Sequence, residues 1–381
     1  MFLEREKIMT QSARLMYAST SADKDILWLT KFQAPDAFIA LMHERKKIAV
    51  LNRLEYNRGK EQAEVDELIC SNDFYVSDEQ SPSISEIILR LLRRYDLQEV
   101  TASPKFFAAI YRHLVENGIT VNFANPLFPE RAIKTVQEIE YIANTQNAME
   151  KAFAGLVVIL SESEIRHDGL VWHQDTLLTS EKLKLIFERE LLESDCTCEA
   201  TIIASGEQTT DPHCDGSGPL LANTPIVFDL FPRSKKTGYW SDMSRTVCKG
   251  KLTPQARNIY HVVREAQKLG LSMVRPGQYG HEIHAAIVSY FDERGFMTKR
   301  VNDKWEGFIH NTGHGVGLDI HESPSIGTKM DELLVPGNVI TIEPGLYYPG
   351  VGGVRIEDTV VVTRDGYRNL AKCPKNLLEI E

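Results

Sequence analysis

Residues that can bind metal ions are concentrated between His310 and Glu357. The stretch opens with three histidines in the sequence HNTGHGVGLDIHE. It continues with two glutamates inside apolar, β-branched segments, Glu343 in VITIEPG and Glu357 in VRIEDTVVV. An ionised carboxylate is costly to bury in such a segment unless it is paired with a cation or bound to a metal. Two glutamates of this kind, downstream of a histidine cluster, indicate a metal centre.

Two aspartates occupy comparable positions upstream. Asp229 lies in the predicted strand TPIVFDLF, and Asp242 lies in the predicted strand TGYWSDMSRTVC. The polar segment PRSKKTG between these strands predicts a β-hairpin. Asp229 and Asp242 are 13 residues apart, and Glu343 and Glu357 are 14 residues apart. Two hairpins with one carboxylate on each strand indicate an internal two-fold repeat.

Convergence of these carboxylates with one histidine would create a site for hydrolysis. The candidate ligands are Asp229, Asp242, His314, Glu343 and Glu357. Mostly oxygen ligands suit manganese, cobalt(II) or iron(II), and zinc less strictly. Four like charges in one pocket would force protonation, whereas two divalent metals neutralise them. Two metals also deprotonate a bridging water and polarise the carbonyl that it attacks, which points to an amide or ester substrate. The alternative is that the carboxylates are independent surface or salt-bridged residues.

The length of 381 residues predicts two domains. The N-terminal part is expected to be a small layered α/β unit. Strands are predicted around a turn within residues 25–40 and from Lys47 to Leu51, and an amphipathic helix capped by Ser83 or Ser85 is predicted from residue 83 to 94. This part contains no catalytic constellation.

The segment Asn125-Pro-Leu-Phe-Pro129 is the predicted boundary, because two prolines in five residues interrupt regular structure. The predicted domains are 1–128 and 131–381. A long helix is expected to open the second domain. Another helix is expected to start at Thr253-Pro254 and to end at Leu269, closed by Gly270.

Composition excludes several classes of protein. The net charge of -10, without a compensating basic cluster, argues against nucleic-acid binding. The N-terminal residues lack the apolar segment of a signal peptide, and no apolar run approaches the ~18 residues of a membrane span. The six scattered cysteines do not form a disulfide framework, which favours the cytoplasm.

The motifs resemble those of the pita-bread metallopeptidases, namely prolidase, aminopeptidase P and methionine aminopeptidase. The resemblance covers about residues 131–381, and the first domain resembles the creatinase-type N-terminal domain of the family. It implies an α/β (α+β) fold, with a pita-bread catalytic domain built from pseudo-two-fold β-hairpins and flanking helices. It also implies a homodimer formed through the N-terminal domain.

The resemblance implies a role for each candidate ligand. Asp229 would bind one metal, and Asp242 and Glu357 would bridge both metals. His314 and Glu343 would bind the other metal. Glu343 would also be the general base that relays a proton from the bridging water to the leaving amine.

Three further histidines resemble the prolidase and aminopeptidase P subgroup more than methionine aminopeptidase, which generally lacks the counterpart of His310. His310 precedes His314 by four residues, His321 follows it by seven, and His213 lies in Asp-Pro-His. In the prolyl enzymes these histidines shape the proline pocket, hold the scissile carbonyl and shuttle protons. Arg355 also matches this subgroup, where it orients the site carboxylates.

The sequence also departs from the family. Asp229-Leu-Phe-Pro replaces the usual Asp-x-Gly, the loop to Asp242 is longer, and Cys214 takes an aromatic position beside His213. These changes lie beside the expected substrate pocket. They leave open a pita-bread enzyme for a small substrate, such as a creatinase-like hydrolase or a dimethylsulfoniopropionate-type lyase. A non-enzymatic binding module is a third hypothesis.

The leading hypothesis is a cytoplasmic dinuclear metallopeptidase that cleaves the bond before proline in the second position of a peptide. Two divalent ions are expected, manganese first, with cobalt, zinc or iron as alternatives. No nucleic acid, membrane or other cofactor is expected. The sequence does not distinguish a dipeptidase from an aminopeptidase.

Overall fold

The computed structural model describes residues 13–75, 81–329, 332–376 and 379–381. These residues form two compact units, the first ending at Arg131 and the second beginning at Ala132. The N-terminal residues 1–12, for which the sequence predicts no signal peptide, lie outside the described part. In the described part no helix has the length and apolar character needed to span a membrane.

The first unit is built on a six-stranded mixed sheet. Its strands are β1 (Ala13–Ala18), β2 (Phe38–His43), β3 (Lys46–Leu51), β4 (Glu67–Cys70), β5 (Glu99–Ala102) and β6 (Thr120–Phe123). Their order is β4-β3-β2-β1-β5-β6, with β1, β2 and β3 antiparallel and the remaining pairs parallel. The helices are α1 (Lys24–Thr30), α2 (Arg53–Gln62), α3 (Ile84–Arg94) and α4 (Ala108–Glu116). The predicted layered α/β arrangement of this unit is therefore present.

Local prediction succeeded at one helix of this unit and failed at another. Helix α3 begins after Ser83, one of the two predicted caps, whose side chain accepts a hydrogen bond from the backbone N–H of Glu86. The prediction of strand from Asp25 is wrong, because α1 occupies residues 24–30. Asp23 caps α1 by accepting from the backbone N–H of Asp25, and this cap favours helix over strand.

The second unit contains two helix pairs and several small sheets. Its helices are α5 (Val136–Ser161), α6 (Ser180–Glu193), α7 (Pro254–Met273) and α8 (Gly280–Asp292). Its first strands are β7 (Glu164–Ile165), β8 (Val171–His173), β9 (Thr176–Leu177), β10 (Cys196–Thr197), β11 (Ile202–Ser205), β12 (Ile226–Leu230), β13 (Arg233–Ser234), β14 (Met243–Lys249), β15 (Lys299–Val301) and β16 (Lys304–Glu306). The later strands are β17 (Gly313–Gly315), β18 (Glu322–Ile326), β19 (Val339–Ile342), β20 (Gly345–Tyr348), β21 (Gly352–Arg355), β22 (Asp358–Val362), β23 (Tyr367–Asn369) and β24 (Glu379–Ile380).

Two sheets of this unit carry the predicted two-fold repeat. One has the order β11-β12-β14-β24 and the other has the order β18-β17-β19-β22-β23. The pairs β12/β14 and β19/β22 are both antiparallel. Asp229 lies in β12 and Asp242 immediately precedes β14, while Glu343 follows β19 and Glu357 precedes β22. Each antiparallel pair therefore places one carboxylate on or beside each of its two strands.

Each sheet is covered by one helix pair. Helices α5 and α6 pack on the first sheet through side chains such as Phe153 and Phe187, which join the same apolar cluster as Phe228 of β12. Helices α7 and α8 pack on the second sheet, where Ile287 joins Ile342 of β19. Burial of such a side chain contributes about 1.5–3 kcal/mol to the free energy of unfolding. The helices therefore hold the strands beside the carboxylates in place.

Helix α7 starts as predicted and ends later than predicted. Thr253 caps it by accepting from the backbone N–H of Ala256, and Pro254 is its first residue. Gly270 does not close the helix, which continues to Met273. A Cβ at Gly270 would lie 2.9 Å from atoms of both Ile287 and Ile342, so this glycine serves close packing within the helix.

Candidate metal centre

The two sheets meet at the ends that carry the carboxylates. The backbone N–H of Glu357 donates to the carbonyl of Ser244 at 3.0 Å, and the hydroxyl of Thr359 donates to the carbonyl of Asp242 at 2.8 Å. The Ser244 hydroxyl lies 2.8 Å from Oδ1 of Asp229 and 2.9 Å from Oε2 of Glu357. These bonds fix β14 against β22 and bring carboxylates from both halves of the repeat together.

His314 enters this cluster from the short strand β17. Its Nε2 lies 3.6 Å from Oδ2 of Asp242 and 3.4 Å from Oε1 of Glu343. Its Nδ1 lies 3.2 Å from the carbonyl of Gly315. A carbonyl only accepts, so Nδ1 carries the proton and the lone pair of Nε2 points toward the carboxylates. A metal-binding imidazole has the same division of roles.

The carboxylates perturb one another strongly. Burial and the neighbouring charge of Asp229 raise the pKa of Glu357 to about 8. Burial and the charge of Glu357 raise the pKa values of Asp242 and Glu343 well above their ordinary range. Burial and nearby His321 lower the pKa of His314 to about 3, so its imidazole is neutral at physiological pH. The five candidate ligands themselves carry no positive charge, and a cation reaches them from Arg355, which is paired with Asp229.

The unpaired atoms of the cluster fit a bound cation. Ligand atoms of Asp242, His314 and Glu357 all lie within 4.8 Å of one another. Oδ1 of Asp242 and Oε1 of Glu357 are buried and have no hydrogen-bonding partner within the described part of the chain. Buried oxygens without partners are costly, and divalent cations satisfy them. Four carboxylates and one neutral imidazole are therefore suited to hold metal ions.

Arg355 links this cluster to a tyrosine that the sequence did not single out. Its Nη2 donates to Oδ2 of Asp229 at 2.6 Å, and its Nε donates to Ser244 at 2.9 Å. Its Nη1 donates to the hydroxyl of Tyr347 at 2.9 Å. Tyr347 is 1% exposed, and burial raises its pKa to about 12, so the hydroxyl stays protonated. Tyr347 lies in GLYYP beside a second tyrosine, and the sequence alone does not distinguish them.

His310 lies at the other side of Tyr347. Its Nε2 is 2.8 Å from the Tyr347 hydroxyl, and its Nδ1 is 2.7 Å from the carbonyl of Asn311. Nδ1 also lies 4.0 Å from Oε2 of Glu343. Burial and the charge of Arg355 lower the pKa of His310 to about 3. His310 is therefore a neutral group beside the carboxylate cluster.

His321 and His213 complete the set of predicted site residues. The rings of His321 and His314 meet edge to face, with centroids 4.3 Å apart. His213 is exposed on a loop whose Pro212 carbonyl accepts from Nη1 of Arg355 at 3.4 Å. The nearby charge of His213 contributes to lowering the pKa of His310 and of His321, after burial as the main cause. The structure thus gathers all the sequence-predicted site residues in one region of the second unit.

The segments on both sides of His321 are held by residues that sequence reasoning missed. Trp240 donates from its backbone N–H to the carbonyl of Gly317 at 2.8 Å and from its indole to the carbonyl of Leu318 at 3.0 Å. Glu322 is paired with the buried amine of Lys134 at 2.6 Å. These contacts join residues far apart in the chain, so no local sequence pattern predicts them.

Two helix-backed antiparallel pairs that bring four carboxylates and one neutral imidazole into one cluster fit a pita-bread metallopeptidase. The chain belongs to metallopeptidase family M24, whose sequence model matches residues 140–364. This match includes the predicted metal ligands.

Individual relatives are also similar. An uncharacterized peptidase, YqhT, from Bacillus subtilis is 32% identical over 272 residues, which are 71% of this chain and 70% of that protein. A Xaa-Pro dipeptidase from Pyrococcus furiosus is 34% identical over 249 residues, which are 65% of each chain. The sequence similarity thus spans about two thirds of the length of these relatives.

The fold matches over a longer range than the sequence. The crystal structure of the prolidase from Pyrococcus horikoshii OT3 superimposes with a TM-score of 0.79 and covers 98% of each chain at 23% identity. This similarity confirms the predicted pita-bread fold.

Proposed function

We propose that this metallopeptidase hydrolyses the peptide bond before a proline in the second position. The main support is the placement of His310, His321 and Arg355 around the carboxylate cluster, since this set resembles the prolyl subgroup. Similarity to a Xaa-Pro dipeptidase supports the same substrate class. The first unit would be the creatinase-type N-terminal domain of such an enzyme.

Asp229, Asp242 and Glu357 would hold the first metal ion. His314 and Glu343, together with Asp242 and Glu357, would hold the second. A pair of divalent ions supplies Lewis acidity, which lowers the pKa of a water molecule and polarises a carbonyl group. The protein supplies the fixed positions of the ligands. Ser244 orients Asp229 and Glu357 through its hydroxyl.

Glu343 is the proposed general base. It follows β19 directly, and its backbone N–H donates to the carbonyl of Thr312 at 2.7 Å, which fixes its position between the two histidines of HNTGH. Its Oε1 accepts from the Thr341 hydroxyl at 3.4 Å, which leaves Oε2 to take a proton. The proton would come from the water that adds to the scissile carbonyl carbon, and its transfer to the proline nitrogen would accompany breakage of the C–N bond.

His310 and His321 are proposed to contact the substrate on either side of the scissile bond. His321 lies against His314 and would donate to the scissile carbonyl. His310 would form a wall of the proline pocket with Phe308, whose ring centroid is 5.1 Å away. His213 is exposed on its loop and would contact the part of the peptide beyond the proline.

Hydrolysis of Gly-Pro beside Gly-Pro-Gly-Gly tests this function and separates its two forms. The protein would be stripped with chelator and refilled with manganese. Cleavage of the dipeptide alone defines a dipeptidase whose pocket requires the free carboxylate. Cleavage of the longer peptide defines an aminopeptidase with an open cleft. If neither peptide is cut by protein that binds two metal ions, the proposed substrate class is wrong.

A second candidate function is the conversion of a small non-peptide substrate, as in creatinase-like hydrolases or dimethylsulfoniopropionate-type lyases. The loop that carries His213 favours it, because Cys214 replaces an aromatic residue there and the loop contacts Arg355. A screen of small betaine-like molecules against Xaa-Pro peptides distinguishes the two functions.

Manganese is the proposed physiological metal, because oxygen ligands dominate the cluster. A homodimer and a cytoplasmic location also belong to the proposal, on the resemblance to the prolyl enzymes. Elemental analysis of protein purified without added metal, together with sedimentation analysis, tests metal and oligomeric state.

A further inference from the structure

A buried ionic network lies behind the candidate metal ligands. Asp358 directly follows Glu357, and its side chain is fully buried. Arg245 lies three residues after Asp242 on β14 and is 3% exposed. The Nη2 of Arg245 donates to Oδ1 of Asp358 at 2.8 Å. This pair joins β14 to β22, and because side chains alternate along a strand we expect it to face away from the side chains of Ser244 and Glu357.

Arg245 also holds backbone groups on both strands. Its Nη1 donates to the carbonyl of Ser244 at 2.9 Å and to the carbonyl of Glu357 at 2.5 Å. Its Nη2 donates in addition to the carbonyl of Cys373 at 2.9 Å. The guanidinium group therefore fixes the backbone of one candidate ligand directly.

The C-terminal segment brings a second cation to Asp358. The amine of Lys375 donates to Oδ2 of Asp358, and it also donates to Oε1 of Gln267 at 2.9 Å. Oδ2 of Asp358 accepts two more hydrogen bonds, from Gln267 at 3.1 Å and from Asn369 at 2.7 Å. The carbonyl of Lys375 accepts from the Tyr260 hydroxyl at 2.5 Å. Helix α7 and the C-terminal segment thus clamp Asp358 together.

Stability alone does not explain two cations around one buried carboxylate. Desolvation of buried ions often outweighs their attraction, and apolar replacements are frequently as stable. Hydrogen-bonded networks of this kind do fix geometry, because each member restrains the others. Here the restrained segments are β14 and β22, which directly follow Asp242 and Glu357.

We propose that Lys375, acting through Asp358 and Arg245, is a positioning residue of the metal centre. It holds the backbone of Glu357 at a fixed distance from Asp242, so that both carboxylates meet the same ions. The C-terminal segment is then part of the metal site, although none of its described residues contributes a ligand. This inference rests on the ligand set of the proposed function.

The affinity for Mn²⁺ tests the inference without any assay of hydrolysis. Titration calorimetry on chelator-stripped full-length protein would compare the wild type with Lys375→Met and Lys375→Arg. Outer residues that orient metal ligands typically change affinity by about 10–100-fold, so Lys375→Met is expected to weaken binding by about tenfold. Lys375→Arg keeps the cation and is expected to restore most of the affinity. Lys372→Met is the matched control, because Lys372 is exposed and its amine has one hydrogen-bonding partner among the described residues, Asn147 at 3.5 Å.

The melting temperature of the stripped proteins separates positioning from simple stabilisation. If Lys375→Met melts at a lower temperature but binds Mn²⁺ with wild-type affinity, the network is structural only and the proposal is overturned. If Lys375→Met does not fold, Lys375→Gln replaces it in the comparison of Mn²⁺ affinity and melting temperature. Its amide keeps a hydrogen-bond donor, so a smaller loss of stability is expected. Failure of the wild type to cleave Xaa-Pro peptides would refute the proposed substrate, whereas the Mn²⁺ comparison would still decide the role of Lys375.

Discussion

The hydroxyl of Tyr347 lies 2.8 Å from Nε2 of His310, and this bond sets the tautomer of the imidazole. Arg355 donates to the tyrosine oxygen, so the tyrosine proton must point to Nε2. Nδ1 in turn donates to the carbonyl of Asn311. Each group in this chain of hydrogen bonds therefore donates to the next, from Arg355 through Tyr347 and His310 to the carbonyl of Asn311. His310 is held as a neutral ring, which favours a role in shaping the pocket over a role in moving protons.

Tyr347→Phe should lower kcat/KM for a Xaa-Pro substrate by about tenfold or more. The substitution leaves Nη1 of buried Arg355 and Nε2 of His310 without their common partner, at a cost of about 1–3 kcal/mol. Steady-state kinetics on the manganese-loaded protein measure the effect. Tyr348→Phe is the control, since Tyr348 is a half-buried neighbour that packs on Phe296. Equal kcat/KM in Tyr347→Phe and the wild type would show that the tautomer of His310 is unimportant.

Glu343→Gln should bind two metal ions and lose most of the hydrolytic rate. Glutamine keeps the size of the side chain but cannot accept the proton, and general-base catalysis contributes about 10²–10⁴-fold. Single-turnover rates, measured beside elemental analysis of the same sample, separate catalysis from metal loss. Near-normal turnover would mean that another group is the base.

His314→Ala should lose one of the two metal ions. Its Nε2 lies within 4 Å of Asp242 and Glu343, and no other imidazole has that position among the described residues. The metal content after dialysis is the measurement. His321→Ala is the matched comparison, because His321 packs against His314 and is expected to retain both ions while the rate falls. Retention of two ions by His314→Ala at normal affinity would exclude it as a ligand.

The metal-free protein should become less stable as the pH rises from 7 to 8.5. The pKa of Glu357 is about 8 in the folded state against 4.5 for an ordinary glutamate, so the folded state binds more protons in this range. Stability therefore falls with pH, by at most about 1.4 kcal/mol per pH unit for one proton. His310 and His314 have lowered pKa values and oppose this trend only below about pH 6.5, where the unfolded imidazoles bind protons.

Denaturant unfolding at several pH values, with and without Mn²⁺, measures this dependence. Metal binding neutralises the carboxylates, so the stabilisation by Mn²⁺ should grow over the same pH range. Glu357→Gln in the metal-free state should remove much of the decline. A metal-free wild type whose free energy of unfolding rises from pH 7 to 8.5 would contradict the prediction.

Local sequence was sufficient to find the candidate ligands. Glu343 and Glu357 stand in apolar, β-branched segments where burial of a charge is costly, so their burial required an explanation before any fold was known. The cap at Thr253 was predicted directly and that at Ser83 as one of two candidates, because a cap depends on residues within one helical turn. The strand predicted from Asp25 was wrong because its apolar residues suit either a strand or a short helix.

The tertiary structure decided how these residues are held. Arg245 reaches Glu357 across 112 residues of sequence, and Arg355 reaches Asp229 across 126. Such pairs depend on the register of β12, β14 and β22, which is fixed only when both sheets pack on their helices. For the same reason the sequence did not show which of Tyr347 and Tyr348 contacts Arg355, and it did not indicate that Lys375 pairs with Asp358. The sequence by itself determined the chemical groups of the site, because they conflict with their local surroundings. Only the folded chain decided their hydrogen-bonding partners, because those partners come from distant strands.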